Sequence, residues 1–183
     1  MSPEDLARAT GAHLQEAQAF APVIDAAMEA YEINTPGRQA AFLAQIGHES
    51  GGLHWLIEIW GPTIAQQHYE GRLDLGNTEP GDGSKYRGHG LLQTTGRGNH
   101  ARARDRLRAK FPDLDVPDFE QEPKRLAEPQ WAALSAADFW ADHGLNDLAD
   151  AGDFMRITRK INGGLNGYDQ RLALFETAKE VLA

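Results

Sequence analysis

The chain has 183 residues, no cysteine and a formal net charge of -9 at pH 7. This length can bury a hydrophobic core, and we predict a single domain over residues 1–183. The lack of cysteine excludes disulfide bonds and thiolate sites. The acidic balance argues against nucleic-acid binding, because neutralising phosphates requires a basic surface.

Local patterns predict helices at the start of the chain. Ser2 and the proline and acidic residues after it are typical of a helix start, and Gly11 marks the end of that helix. Apolar patterns predict a second helix over His13–Phe20 and a third that begins at Pro22. A fourth is predicted over Pro36–His48, before a pair of glycines.

Residues 60–92 differ from both flanks, since they are rich in glycine and have no clear periodicity. So long a stretch is usually functional or disordered. Two tyrosines and several charges favour a binding loop over a linker. Helical patterns return at 99–110 and 131–143, after Asp153, and after Gly167. Because no convincing strand pattern is present, the predicted fold class is mainly α.

The basic segment 97–110 is interpreted as a solvated helix face. The N-terminal residues contain no basic region followed by an apolar core, and no apolar run is long enough to span a bilayer. We therefore expect a monomer made in the cytoplasm without a signal peptide and with no stable membrane association.

The stretch His48-Glu49-Ser50-Gly51-Gly52 is the main candidate for chemistry. A zinc-protease helix needs a second histidine four positions after the first, where this chain has Gly52, so no metal site is expected. Ser50 lacks the Gly-x-Ser-x-Gly frame of a nucleophilic serine. The glycines at 88 and 90 lack the third glycine and the preceding strand of a dinucleotide site. No cofactor is expected.

Two carboxylates remain, Glu49 and Glu58, with a glycine turn between them. Glycosidic cleavage uses two carboxyl groups, one to protonate the leaving oxygen and one to activate water or attack carbon. Partial burial favours a protonated carboxyl group, which suits the acid, and a solvated segment suits the base. Spacing alone does not separate this pair from two ordinary surface glutamates.

A set of motifs in fixed order strengthens the hydrolase hypothesis. The segment from His48 to Gly52 resembles the catalytic opening of glycoside hydrolase family 19, which comprises chitinases and a compact branch of phage endolysins and related bacterial enzymes. The resemblance spans about residues 36–175 and continues through YEGR at 69–72, LGNT at 75–78, PGDG at 80–83, YRGHGLLQTTG at 86–96, INGG at 161–164 and Arg171.

The resemblance implies a lysozyme-like, two-lobed helical fold with a substrate cleft between the lobes. It also implies inversion at the anomeric carbon by direct attack of water. Glu49 matches the general acid and Glu58 the general base, with Glu70 as a rival because plant-type members space the pair further apart. Thr95 stands where the family usually has a serine that helps to hold the water.

The resemblance further implies a substrate-binding set, in which Arg171 is a buried or cleft-edge arginine and Asn162 also fits a helix C-cap. The set comprises His48, Tyr86, Gln93, Asn99, Asn162 and Arg171. The sequence does not decide whether the ring of Tyr86 lies in the core or in the cleft. The same holds for three aromatic residues outside the set, Trp55, Trp60 and Tyr69.

Two positions depart from the family. His89 stands where arginine is common, which could weaken a contact to a carboxylate network. His100 stands where tyrosine is common, which could alter one subsite.

Chitin and peptidoglycan are both β-1,4-linked amino-sugar polymers. We favour peptidoglycan because the chain has no chitin-binding appendage, no signal peptide and no disulfides, and because its loop motifs resemble phage endolysins most closely. The hypothesis is an endolysin that cleaves peptidoglycan glycan strands between N-acetylmuramic acid and N-acetylglucosamine once the membrane is breached. The alternatives are a chitinase and a non-catalytic glycan-binding module.

Overall fold

The computed structural model describes residues 1–183 and confirms the mainly helical fold class. Short 3-10 turns lie at Leu73–Leu75 and Pro123–Ala127, and the strand-like pairing is limited to isolated bridges. No helix is both long and apolar enough to cross a membrane. The α-helices are α1 (Pro3–Thr10), α2 (Leu14–Ala30), α3 (Pro36–Glu49), α4 (Ile64–Gln67), α5 (Asp82–Lys85), α6 (Arg97–Lys110), α7 (Pro129–Asp142), α8 (Leu145–Asp150), α9 (Phe154–Asn162) and α10 (Tyr168–Val181).

One prediction about these helices is wrong. Pro22 does not begin a new helix but lies inside α2. Proline in a helix interior removes one backbone hydrogen bond and crowds the preceding turn. Here the residues on both sides of it, including Phe20, Ala21 and Ile24, are buried in one continuous apolar face. Tertiary packing therefore keeps the two predicted pieces joined.

The core is built around α3, whose residues 40–47 are all buried. Helix α10 packs along α3, and α1 and α8 contact it as well. Gly47 is the point of closest approach to α1, since a Cβ atom there would lie 2.5 Å from the carbonyl oxygen of Thr10. This packing fixes the C-terminal end of α3, where Glu49 lies.

The predicted glycine-rich segment lies between α3 and α6 and is held by specific contacts. Asp82 is buried and forms a two-pronged ion pair with Arg97, at 2.6 and 2.8 Å. Asn77 is also buried; its amide donates to the Tyr69 carbonyl oxygen and its oxygen accepts from the Arg97 backbone N–H. These contacts hold the segment in a defined conformation against the first residue of α6.

Candidate active site

Glu49 is the last residue of α3, and Ser50 ends the helix. The Ser50 hydroxyl donates to the Ile46 carbonyl oxygen at 2.6 Å and accepts from the Leu53 backbone N–H at 2.7 Å. Ser50 is fully buried. Its hydroxyl therefore shapes the turn and is not presented to a substrate.

The turn after Ser50 is left-handed at three consecutive residues. The φ angles are 59° at Gly51, 71° at Gly52 and 62° at Leu53. A branched side chain rarely adopts this conformation, and Leu53 is held in it by burial in the core. A Cβ atom at Gly52 would lie 2.6 Å from the Gly11 carbonyl oxygen. The chain thus reverses sharply after Glu49 and then runs toward Glu58.

The Glu49 carboxyl group is held on one side only. Its Oε1 accepts a hydrogen bond from Arg171 at 2.5 Å, while Oε2 has no protein partner. The side chain of Glu49 is 19% exposed. The other Arg171 nitrogens donate to Gln45 at 2.6 Å and to the Asn166 carbonyl oxygen at 3.2 Å. One oxygen is therefore fixed, and the other is available to a substrate.

Of the two expected positions for Arg171, buried or at the cleft edge, the structure shows the buried one, because the residue is only 1% exposed and is not placed to contact a substrate. Its hydrogen bonds all go to protein groups, so its contribution is to position Glu49. Asn162 acts further along the same network. Its side-chain oxygen accepts from the Asn166 backbone N–H at 3.3 Å, and Gly163 provides the left-handed C-cap of α9.

His48 lies beside Glu49 and is half-buried, with its ring packed on Gly167. Burial lowers the pKa of His48 below its usual value, and the positive charge of Arg171 lowers it further, against an opposing effect of Glu49. The imidazole is therefore neutral at neutral pH.

Glu58 is surrounded by hydrogen-bond donors. Its Oε1 accepts from the Gln66 amide at 2.9 Å and from the Tyr69 hydroxyl at 3.3 Å, and its Oε2 accepts from the Gly88 backbone N–H at 2.9 Å. A carboxylate offers about four lone-pair sites, so one remains for water. This environment contrasts with the single contact of Glu49.

Sequence reasoning missed Gln66, which orders the segment around Glu58. Its side-chain oxygen accepts from the backbone N–H groups of Gly61 and Thr63, and its amide also donates to the Ile59 carbonyl oxygen. The one available signal was the Thr63-x-x-Gln66 spacing of a capping box, which the structure contains.

Glu70, the rival base, is used differently. Its two oxygens accept from the backbone N–H groups of Gly81 and Gly83 at 2.6 and 2.8 Å. It therefore ties two loop segments together. Glu58, by contrast, follows Ile57, which forms an isolated antiparallel bridge with His89, and His89 forms a second such bridge with Thr94.

Three predicted site residues lie close together beside the bridge between His89 and Thr94, namely Gln93, Thr95 and Asn99. Gln93 has a positive φ of 52°, and its amide donates to the carbonyl oxygens of Trp55 and Gly90. The Thr95 hydroxyl donates to the Gln93 carbonyl oxygen at 3.0 Å, and the Asn99 amide donates to the Thr95 carbonyl oxygen at 2.7 Å. The lone pairs of the Thr95 hydroxyl stay available to water.

These three residues line a cavity of about 460 Å³ between the two lobes. Neither Glu49 nor Glu58 belongs to its lining. Two carboxylates on its opposite wall, Asp138 and Asp142, are both paired with Arg106 at 2.7 and 2.5 Å. Neither of these aspartates is therefore left unpaired, and Gln93 connects the cavity lining to the segment before Glu58 through its hydrogen bond to the Trp55 carbonyl oxygen.

The same cavity has a charged wall. It includes Arg102, Arg106, Asp138, Asp142 and His143. Arg102 is exposed, and its one hydrogen bond is to the side-chain oxygen of Asn99 at 2.9 Å. It is therefore the cation of this wall that is available to a bound ligand.

Tyr86, which the sequence left open between core and cleft, lies in the core and is not placed to contact a sugar. Tyr86 is 0% exposed, and its hydroxyl donates to the Glu120 carbonyl oxygen at 2.6 Å. Trp55 is 52% exposed beside the turn after Glu49. Its indole, unlike the ring of Tyr86, is free to stack on a sugar.

The two departures from the family form one unit. His89 and His100 are both buried, and their ring nitrogens Nδ1 and Nε2 are 3.0 Å apart. Neither histidine contacts a carboxylate, and neither reaches the cleft. The expected effects on a carboxylate network and on a subsite are therefore not supported.

Comparisons with known proteins complete the description. No family model matches the chain. A curated protein of Haemophilus influenzae, named as a glycosyl hydrolase family 19 domain-containing protein, is 34% identical over 166 residues, covering 75% of this chain and 76% of that protein. A solved bacterial family 19 chitinase has a TM-score of 0.74 at 22% identity, covering 100% of this chain and 94% of that one. At this identity the structural match establishes the fold.

Proposed function

This chain belongs to glycoside hydrolase family 19, and we propose that within the family it is an endolysin-type enzyme. It cleaves β-1,4 bonds between N-acetylmuramic acid and N-acetylglucosamine in peptidoglycan. The observation that carries this proposal is the unlike pair of glutamates. Glu49 presents one free oxygen at a helix end, and Glu58 sits among three donors.

In the proposed mechanism, Glu49 Oε2 carries the proton that goes to the glycosidic oxygen as the bond to the anomeric carbon breaks. A water molecule attacks that carbon from the opposite face and gives its proton to Glu58, so the configuration inverts. The Thr95 hydroxyl accepts a hydrogen bond from this water. Arg171 stabilises the charge left on Glu49, and solvent returns the protons to their starting places.

The charged wall of the cavity favours peptidoglycan over chitin. Chitin carries no charge in its repeating sugars, whereas the stem peptides of peptidoglycan carry carboxylates and amines. Arg102 lies next to Asn99, one of the proposed sugar-contacting residues. With a chain charge of -9, general attraction to an anionic wall is absent, so recognition depends on such local contacts.

A chitinase is the second candidate, since the solved neighbour is named as one. A non-catalytic glycan-binding module is disfavoured because both glutamates are present.

Incubation with purified peptidoglycan and, separately, with chitin oligomers tests the proposal. Mass spectrometry should detect fragments with a new reducing-end N-acetylmuramic acid. Cleavage of chitin oligomers alone would identify a chitinase. Binding without cleavage of either polymer would identify a glycan-binding module.

We also propose that the protein acts on the wall after the membrane is breached. Expressed in the bacterial cytoplasm, it should lyse cells only after chloroform permeabilises the membrane. Lysis before permeabilisation would contradict this.

A further inference from the structure

A second cavity, of about 410 Å³, shares no residue with the cavity between the lobes. It lies between the segment that contains Lys85, Arg87 and His89 and the segment from Gln121 to Arg125. The proposed function uses none of these side chains.

The lining of this cavity is positively charged, although the whole chain is acidic. Lys85, Arg87, Lys124 and Arg125 face a single carboxylate, Glu122. Arg125 pairs with Glu122 at 3.7 Å and with a neighbouring glutamate. No ion pair involves Lys85, Arg87 or Lys124, and the Nε atom of Arg87 is buried without a hydrogen-bond partner. An anionic ligand would satisfy these groups.

The hydrogen-bond chain behind the cavity fixes the tautomer of His89. The Gly96 carbonyl oxygen can only accept, so His100 must carry its proton on Nδ1, which is 2.8 Å from that oxygen. His100 Nε2 is then an acceptor, and His89 must donate to it from Nδ1 at 3.0 Å. His89 Nε2 is left as a bare acceptor.

This acceptor has no partner. His89 is 1% exposed, lines the cavity, and its Nε2 is buried without a hydrogen bond. Burial lowers the pKa of His89 to about 3, so the ring stays neutral at neutral pH. An unsatisfied buried acceptor destabilises the protein, and a ligand that donates a hydrogen bond would remove that cost.

We propose that this cavity binds a phosphate species that still carries a hydroxyl, with the hydroxyl donating to His89 Nε2 and the charged oxygens facing Arg87 and Lys124. The positively charged lining requires an anion, and the acceptor His89 Nε2 requires a hydrogen-bond donor, so the ligand must be both. Hydrogen phosphate is both an anion and a donor at neutral pH, whereas sulfate is an anion without a proton. A neutral sugar hydroxyl would satisfy His89 and leave the cations unpaired.

The proposed phosphate binding can be tested by recording the 15N NMR resonances of the histidine side chains in the intact chain, with inorganic phosphate as the probe. Phosphate should shift the His89 Nε2 resonance saturably, and sulfate at equal ionic strength should not. Lys124→Ala should weaken phosphate binding by about tenfold, as expected for one charge-assisted contact, while the surface control Lys179→Ala should leave it unchanged.

His89→Phe removes the acceptor and should abolish the preference for phosphate over sulfate, provided that circular dichroism shows a folded variant. If that variant does not fold, Lys124→Ala and the sulfate comparison decide. Equal shifts with phosphate and sulfate, no saturable shift, or equal effects of the two lysine variants would overturn the proposal. Because these measurements are independent of glycan cleavage, their outcome is separate from the proposed function.

Discussion

At the scale of single residues, the two proposed catalytic groups differ in what their oxygens contact. Glu49 has one anchored oxygen and one free oxygen, whereas both oxygens of Glu58 accept hydrogen bonds. The arrangement of Glu49 suits a group that donates a proton to a substrate. The arrangement of Glu58 suits a carboxylate held ready to receive one from water.

The base can be identified by comparing two glutamine variants. Glu58→Gln should lower kcat by about 10²–10⁴-fold, the usual contribution of a general base. Glu70→Gln should retain near-normal kcat, because both oxygens of Glu70 accept hydrogen bonds from the backbone at Gly81 and Gly83, and the carboxylate is therefore not placed to activate water. Turnover assays on peptidoglycan give both values. A larger loss in Glu70→Gln would transfer the role of base to Glu70.

Arg171 is predicted to stabilise the fold partly through Glu49. Arg171→Met should lower the free energy of unfolding by about 2–5 kcal/mol, because it removes a buried partner of two side chains. In a Glu49→Gln background the same change should cost less, because the contact of the guanidinium with the Glu49 carboxyl group is already replaced by a weaker one to an amide. Urea unfolding of the four proteins measures this coupling. Strict additivity would contradict the proposed contact.

The position of Glu49 at a helix end followed from local sequence, but the hydrogen-bond partners of Tyr86 and Arg171 did not. Arg171 bonds to residues more than 100 positions away in the chain. Such contacts depend on how the helices pack, and no local pattern contains that information. Gln66 was missed for a different reason: its contacts are local, but they lie in a loop without periodicity, where only the capping-box spacing marked it.

At the scale of helices, α3 is placed by a glycine contact as well as by its apolar face. Gly47 lets the backbone of α1 approach closely, while Gly37, in the first turn of the same helix, has nothing near its missing side chain. The sequence predicted α3 because its caps and periodicity agree. The prediction for α2 was wrong, because Pro22 indicated the start of a new helix, whereas tertiary packing keeps α2 continuous through this residue.

Two glycine variants in α3 should have opposite effects. Gly47→Ala should lower the free energy of unfolding by about 1–3 kcal/mol, because the new Cβ would overlap the Thr10 carbonyl oxygen. Gly37→Ala should be neutral or stabilising by up to about 1 kcal/mol, because alanine favours helix. Denaturant unfolding measures both. Equal effects would show that α1 and α3 do not approach as described.

At the scale of the whole molecule, buried histidines link stability to pH. Burial lowers the pKa of His100 to about 4, and burial, with the nearby charges of Arg87 and Lys124, lowers that of His89 to about 3. The unfolded chain binds protons to these groups at about pH 6.5. Their contribution to stability is therefore complete above that pH and is lost as the pH falls.

The free energy of unfolding should thus decline from about pH 6.5 down to about pH 4 for His100 and about pH 3 for His89, by up to about 1.4 kcal/mol per pH unit for each histidine. Carboxylates with lowered pKa values, such as those of Asp82 and Asp118, act at lower pH. Urea unfolding at several pH values gives the slope. His100→Phe should reduce it, and a flat profile over this range would contradict the buried neutral pair.

The general architecture could be predicted from sequence because capping residues, apolar periodicity and the glycine-rich segment agree with one another. The relative position of the two lobes and the cavity between them could not be predicted from local patterns, because they arise from long-range packing. The family resemblance supplied the expectation of a cleft, and the structure supplied its charged wall and the pairing of His89 with His100.

The central claim is that Glu49 donates the proton in glycosidic cleavage, and the most direct test is the turnover of Glu49→Gln on peptidoglycan. We expect its kcat to fall by at least about 10²-fold, with the circular dichroism spectrum unchanged. Near-normal turnover by this folded variant would contradict the account.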